Sequence, residues 1–549
     1  MIDIKNELKN ILNEAIKKAG FSALNFQIEE PNDSRFGDLS SNLIMILAKR
    51  EKQPMPEIAE KIIKNIADNT NLCKPEMVNG FLNFSYKNEY LKKSIKEAIS
   101  ANESFGVFDH GRGKKVLVEF VSANPTGELH IGNARGGPMG LTIANLYQHF
   151  GFKVTKEYYV NDLGIQIGKF AKTLHHYFKK IKNSKIQFPE DGYPGEFVEE
   201  IFKELHKKDK EKLEQMTEEE LIKYFTKDGL ALMIKSIKED LEYLGIYYDE
   251  WSYESDILNS SKTDRVVSLL EPAGMTTLKE GALWFKNPAD PDMEDRETVL
   301  KKSDADKAYT YFAQDIAYHL DKYERGFSKA IDVWGANHFG HISRLTSAMR
   351  ALKVPENWLN IILYQNVRLK NGEEIIQMSK RRGNVVTMQD LKDSKIPADV
   401  FKFFMLMHDS NSMIDFDIKM AKDTSEKNPV FYVKYAFARL SGILRKAKEE
   451  GIESDVSELT LKEPEEIALA KEIIKLPNIL EDTYADLKIQ RLPYYALSLA
   501  GKFHTFYDKC HIIGEKKEVE KSRLALLQAT KIAFKKLLDI LAIEAPEKM

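Results

Sequence analysis

Residues 116–140 read VLVEFVSANPTGELHIGNARGGPMG, and this stretch decides the fold. Its first seven positions form a near-continuous apolar run, as expected of a parallel strand covered on both faces. Asn124, Pro125, Thr126 and Gly127 then make a turn, and a long helical pattern runs on to Phe150, with Gly151 suited to end it. KVTKEYYV at 153–160 reads as a second strand, so residues 116–160 form a βαβ unit.

Strand signals return in ALWF (282–285), ETVL (297–300), AIDVWG (330–335) and WLNIILY (358–364), separated by helical stretches. That alternation predicts a Rossmann-like, doubly wound α/β domain over residues 109–420. A charge-rich helical stretch, about 179–250, reads as an insertion within it. Upstream, Ile4, Leu8, Ile11, Leu12 and Ala15 recur at helical spacing, a loop spans Pro31 to Gly37, and a short strand lies near Phe81–Phe84. Residues 1–108 are therefore expected to form an N-terminal α+β domain, bounded by the polar, glycine-bearing stretch 102–115. Beyond Ala421 strand signals stop, and 421–549 reads as an all-α bundle of five or six helices.

A length of 549 residues suits about three domains. With 43% apolar and 30% charged residues the chain is expected to be a soluble globular protein, and no apolar run is long enough to span a bilayer. The opening MIDIKNELKN has no apolar signal core. Two cysteines, Cys73 and Cys510, exclude a disulfide framework or a four-cysteine zinc site, and point to the cytoplasm. The formal net charge of −3 does not by itself suggest nucleic acid, so any such contact rests on local patches.

Two segments carry chemistry. In the first, Glu119 lies inside an apolar strand, where a carboxylate needs a cation or hydrogen-bond donors; a buried ion pair with a Lys or Arg of the fold satisfies that without any ligand. His130-Ile131-Gly132-Asn133 opens a helix whose unpaired amides and dipole favour phosphate. Gly132 permits close approach, and His130 and Asn133 supply side-chain donors. By itself the tetrapeptide also suits an ordinary capped helix start. The second segment, IIQMSKRRGNVVTM at 375–388, places Lys380, Arg381 and Arg382 in a short basic loop. Alone such a loop belongs in solvent; beside a helix-start phosphate site it could clamp the β- and γ-phosphates of ATP.

The pair resembles the signature motifs of class I aminoacyl-tRNA synthetases, His-Ile-Gly-His and Lys-Met-Ser-Lys-Ser. Asn133 replaces the final histidine and Gln377 the first lysine, which leaves open how the pyrophosphate charge is shared. Longer strings narrow the resemblance to arginyl-tRNA synthetases: EFVSANPTGELHIGNARGG (119–137), EYYVNDLGIQI (157–167), YTYFAQDIAYHLDKYERGF (309–327), DVWGANHFGH (332–341), NPVFYVKYAFARL (428–440) and the closing RLALLQATKIAFKKLLDILAIEAPEKM. It runs from GDLSSN at 37–42 to the last residue.

The resemblance implies activation of arginine with ATP, Mg²⁺ riding on the phosphates, and transfer to the 2′-hydroxyl at the 3′ end of tRNA(Arg), with tRNA bound before activation. It implies catalytic roles for His130, Asn133, Ser379 and Lys380, and ATP contacts from His130, Gly132, Asn133, Met378 and Lys380. Arginine would be held by Glu119, Ser122, Asn124, His130, Tyr311, Asp315 and Asn337. Tyr311 and Asp315, four apart, share one helical face, and a carboxylate suits the planar guanidinium. Anticodon contacts would fall on Tyr432, Ala436, Tyr507 and Met549. Tyr432, Tyr435, Ala436 and Arg439, like Phe503, Phe506, Tyr507 and Cys510, form helical stripes, which serve a core as readily as a base-stacking platform. From Lys521 to Met549 six Lys or Arg face three Asp or Glu, a local surplus of +3. The protein is expected to act as a monomer. Two other readings compete: a different adenylating enzyme, which leaves the aromatic C-terminal helices unexplained, and a non-catalytic tRNA-binding paralogue, suggested by Asn133 and Gln377.

Overall fold

The computed structural model describes the chain apart from residues 1–3, 32, 68–70, 183–184, 194, 287–296, 304–307 and 377–385. At its centre is a five-stranded parallel sheet in the order Leu359–Tyr364, Lys329–Gly335, Lys115–Phe120, Lys153–Val160, Glu250–Tyr253. The strand of the quoted stretch is the middle one. The chain winds away from it in both directions, so a crevice opens where the halves diverge, at the C-terminal strand ends.

Coverage on both faces explains the apolar run. Val116, Val118 and Phe120 join Ile143, Ala144 and Tyr147 of the helix Gly136–His149 in one core. Glu119, on the opposite face, meets the helix Tyr311–Glu324. The 136–149 helix stops where the sequence implies: Phe150 N donates to Leu146 O, and Gly151 adopts φ +80°, a conformation that costs glycine little.

Two of the four downstream strand signals lie outside this sheet. Ala282–Phe285 is the middle of a separate antiparallel ribbon with Thr276–Lys279 and Thr298–Lys301. Ala282 and Phe285 are buried while Leu283 and Trp284 are only half-buried. Short apolar runs of four do not reveal by themselves which sheet they enter. Another small sheet joins Val367–Asn371 to Glu374–Ile376 and to Ile414–Asp417 directly after the last central strand.

Between the 153–160 and 250–253 strands stands a helical unit: Ile165–Lys182, Glu196–Gln215, Glu218–Tyr224 and Leu230–Tyr243, with a π-helical turn at Phe225–Gly229. It has its own core, including Phe170, Leu174, Phe202, Leu205 and Phe225. The charged stretch noted from residue 179 is thus the outer part of a unit whose inner helix starts at Ile165.

Among the described residues, the C-terminal region has four long helices rather than five or six: Pro429–Glu449, Pro464–Asp486, Arg491–Lys509 and Lys517–Ile540. Pro477 lies inside the second of these, which continues to Asp486. A proline there ordinarily signals a break, so the sequence pattern over-divides. The N-terminal domain sets four strands, in the order Ile28–Glu29, Leu39–Ser41, Phe81–Tyr86 and Cys73–Val78, against helices that include Ile4–Lys18 and Met55–Ala67. It is tied to the 464–486 helix by the ion pairs Lys5–Asp482, Lys471–Asp38 and Lys475–Glu30.

Candidate active site

At the C-terminal edge of the parallel sheet lies a cleft of about 770 Å³. Glu119, Ser122, Asn124, Gly132 and Asn133 line one side, and Tyr311, Asp315 and Asn337 another. Residues scattered over more than 200 positions of sequence thus line one cleft. Gln377, Met378, Ser379 and Lys380 lie outside the described residues.

His130 caps the helix start. Its backbone is extended (φ −86°, ψ 155°), and its Nδ1 accepts from Asn133 N at 3.2 Å. With Nδ1 committed as acceptor, a neutral ring carries its hydrogen on Nε2. A Cβ on Gly132 would stand 3.1 Å from that Nδ1 and crowd the capping ring, so glycine suits this position. Met388 N donates to Leu129 O at 2.8 Å and Ile131 N to Val386 O at 3.1 Å, so the chain leaving the basic segment is docked on the helix start. Just behind, the buried Arg135 guanidinium donates to the carbonyls of Gln365, Ser412 and Asp409 at 2.5, 2.8 and 3.0 Å. Burial pulls its pKa down to about 10.

Past the end of the 115–120 strand, Val121 and Ser122 both take positive φ (+68° and +39°). A β-branched residue there is strained, and such strain clusters at functional sites. The bend aims Ser122 Oγ at Glu119 Oε1 (2.9 Å), while the same oxygen accepts from Tyr159 N (3.1 Å).

Below the cleft lies a row of carboxylates. Asp332, Glu119, Glu157 and Glu250 are successive register partners across four adjacent strands. The helix Tyr311–Glu324 and the residue that follows it supply the cations. Lys322 Nζ lies 2.5 Å from Glu119 Oε2 and 3.0 Å from Asp332 Oδ1, and His319 Nε2 lies 2.8 Å from Asp332 Oδ2. Arg325 lies 2.7 Å from Glu157 and also bonds Glu250. His319 Nδ1 faces the Asp315 carbonyl at 2.8 Å, so both its nitrogens face acceptors, which suits the imidazolium. Burial and Lys322 would lower the His319 pKa, but Asp332 and Asp315 outweigh them and raise it. Burial raises the Glu119 carboxyl, opposed chiefly by Lys322.

Glu119 and Asp332 are therefore matched by Lys322 and His319 before any ligand arrives. The carboxylate turned toward the cleft is Asp315, its side chain 28% exposed, with His341 Nε2 at 2.5 Å. Burial would raise its pKa, but His341, His319 and Lys322 together hold it below the ordinary carboxylate range. Nearby Glu254 also lines the cleft; burial first, then Asp162 and Asp315, push it up to about 7. The site thus offers a cation a partly desolvated anionic wall, beside a helix start suited to phosphate.

Glu254, His341, His319, Lys322 and Asp332 were not singled out from sequence. For His319 and Lys322 a signal existed, since they fall four and seven residues after Asp315 on one helical face.

Residues 6–86 match the description "Arginyl tRNA synthetase N terminal domain", residues 94–413 "tRNA synthetases class I (R), catalytic domain", and residues 433–549 "DALR anticodon binding domain". The arginine–tRNA ligase of Aquifex aeolicus is 37% identical, over 99% of this chain and all of its own length. The chain belongs to the arginyl-tRNA synthetase family. The enzyme of that name from Carboxydothermus hydrogenoformans is 36% identical, over 100% of this chain and 99% of its own. A crystal structure titled a putative arginyl-tRNA synthetase of Campylobacter jejuni superposes with a TM-score of 0.76 at 30% identity, covering 84% of this chain and 99% of that one. The Thermus thermophilus arginyl-tRNA synthetase shares the fold, with a TM-score of 0.79 at 22% identity over the whole of both chains.

The region matching the DALR description separates the aromatic stripes. Phe503, Phe506 and Cys510 are core, whereas Tyr507 is 38% and Met549 60% exposed. Tyr432 is half-buried, its ring beside His504. Ala436 is fully buried, so its side chain offers no surface to a base, contrary to the contact the resemblance implies. Its neighbours do better: Arg439 lies between the rings of Tyr435 and Tyr507, 4.5 and 4.7 Å from their centroids. Tyr435 and Arg439 line a cavity of about 390 Å³ with Arg445, Glu547, Lys548 and Met549.

Proposed function

We propose that the protein is an arginine–tRNA ligase: it activates L-arginine with ATP to arginyl-adenylate, releasing pyrophosphate, and transfers arginine to the 3′-terminal adenosine of tRNA(Arg), releasing AMP. The observation that carries this reading is Asp315, a carboxylate presented to the cleft beside Glu119 and Asp332, which Lys322 and His319 already match. Arginine's guanidinium is permanently charged and forked, and an oriented carboxylate is its natural partner.

Tyr311 would flank the guanidinium. Ser122 Oγ already donates to Glu119, so toward the α-amino group it acts as an acceptor, joined by Asn124 and Asn337. Glu119 holds that serine in place and adds negative potential. The substrate carboxylate is already ionised and attacks the α-phosphorus without a general base. Catalysis is then positioning plus stabilisation of spreading phosphate charge. His130 Nε2–H, the open face of Gly132, Asn133 and, from the MSKR segment, Met378, Ser379 and Lys380 serve that task, with ATP entering as its magnesium complex. Tyr432, Tyr507 and Met549 meet the anticodon. We place the protein in the cytosol, acting as a monomer; Cys73 and Cys510 are both buried free thiols, and no helix among the described residues is long and apolar enough to cross a membrane.

Charging of total tRNA with each of the twenty amino acids tests the reading. Arginine alone should give stable, ATP-dependent aminoacylation. Charging with a different amino acid, or none at all in folded protein, would overturn it.

A further inference from the structure

His341 sits beside Asp315 in the cleft lining, and nothing in the sequence motifs assigns it a role. Its Nε2 lies 2.5 Å from Asp315 Oδ2. The ring is held edge-on to Phe312, centroids 5.7 Å apart, and beside Trp334 at 6.1 Å. Two aromatic neighbours thus fix the imidazole before substrate arrives. The hydrogen bond takes one carboxylate oxygen, Oδ2, and restrains the plane of a group that lines the cleft.

We propose that His341 is a positioning residue for substrate recognition, orienting Asp315 while neutral and excluding arginine when protonated. This rests on the reading of Asp315 as the guanidinium partner. A guanidinium cannot give up its proton. Two cations on one partly buried carboxylate repel each other, and an opposite charge on Asp315 is shared between them rather than doubled. Of the two, only the imidazole can discharge. A charged His341 and the guanidinium are therefore alternative cations on Asp315, and the charged imidazole makes the site the poorer acceptor of arginine.

Other charged and titratable groups also face Asp315 or His341. His338, in the preceding turn, is held below the ordinary histidine value by burial, with Asp315 opposing. Arg344, on the same helix, lies over Phe312 and donates to Gly340 O. His319 and Lys322 act on Asp315 from its own helix but are engaged by Asp332 and Glu119. Glu254, also in the cleft lining, interacts with Asp315 as a like charge.

The test uses full-length enzyme with tRNA and ATP, comparing the KM for arginine with the inhibition constant of citrulline, its uncharged isostere, from pH 5.5 to 8.5. In the wild type the arginine KM should rise about tenfold per pH unit on the acid side, the limit for one linked proton, while citrulline stays flat. His341→Gln keeps a donor that does not titrate; it should flatten the arginine limb and leave the KM at pH 8 within about threefold. His341→Phe keeps the ring and loses the donor; it should raise the KM about tenfold with kcat little changed, on the scale of one hydrogen bond to a charged group. An acid limb that persists in folded His341→Gln, or an unaltered KM in His341→Phe, overturns the proposal alone. If Asp315→Asn weakens arginine and citrulline by the same factor, the reading of Asp315 fails, and this proposal with it.

Discussion

Replacing Lys322 by methionine keeps the length of the side chain and removes a cation that is fully buried between Glu119 and Asp332. Asp332 retains His319 at 2.8 Å, so the orphan is Glu119, 4% exposed and left with only the Ser122 hydroxyl. A buried carboxylate that has lost its cation neutralises itself. Keeping protonated a group that ordinarily ionises near pH 4.3 costs about 1.36 kcal/mol per pH unit, hence about 3–4 kcal/mol at pH 7. That agrees with the roughly 3–5 kcal/mol typical of breaking a buried pair from one side. The sign is fixed: in the variant the folded-state pKa of Glu119 lies above the unfolded one, so the penalty shrinks by about 1.4 kcal/mol per unit as pH falls toward 5. Urea unfolding followed by tryptophan fluorescence isolates the relevant domain, because Trp251, Trp284, Trp334 and Trp358, all within the catalytic region, are the only tryptophans in the chain. Adding Glu119→Gln to Lys322→Met should recover more than half of the loss. A penalty under about 1 kcal/mol, or one that does not change between pH 5 and 8, would refute the reasoning, since surface pairs behave that way.

Asp315→Asn should lower arginine kcat/KM by roughly two to four decades, about 3–5 kcal/mol, with a much smaller loss for citrulline; equal losses would assign the residue to folding. Lys380→Ala should slow adenylate formation about 10²–10³-fold, the scale of losing one preorganised electrostatic donor, with arginine affinity little changed; unaltered single-turnover activation would remove Lys380 from the chemistry. Tyr507→Ala should cost about 1–3 kcal/mol in tRNA use, the worth of a stacking platform, and barely move the melting temperature, because Tyr507 is exposed beside Arg439; a large drop in melting temperature with an unchanged tRNA KM would make it a core residue. Burial and Lys322 lower the His319 pKa, yet Asp332 and Asp315 leave it raised. Its contribution to stability is then complete below the unfolded value near 6.5 and lost as pH rises through the folded value; unfolding of wild type and His319→Gln from pH 6 to 9 should converge as pH rises, and parallel curves would exclude the charge.

What the sequence disclosed, it disclosed through local rules. The 115–120 strand, the Gly151 stop and the helix start at Ile131 each follow from patterns within about ten residues. Glu119 is the instructive case. Its presence in an apolar strand demanded a cation, but Lys322 lies 203 positions away, and no local periodicity could choose it among the many lysines. The same distance problem hid His341, which meets Asp315 only because two helices pack side by side. ALWF and ETVL were legible as strands and not as members of a sheet, for sheet membership is a property of partners. Pro477 shows the opposite limit, since a local rule against proline yields to the packing of a long helix.

The carboxylate row bears on how the parallel sheet finds its pairing. Strands that slip by one residue exchange their two faces. In a sheet of valine and isoleucine alone the slip trades one apolar contact for another, and wrong registers compete closely with the right one. Here a slip of any of the four strands would swing Asp332, Glu119, Glu157 or Glu250 away from the helix of cations, three of them into an apolar layer, and strand a lysine, histidine or arginine opposite nothing. For the three buried acids, Asp332, Glu119 and Glu157, each such error carries the cost of an uncompensated buried charge. The row therefore works as a checksum on strand alignment: one helix and the arginine that caps it read four strands at once, and only a single registration of the sheet satisfies them.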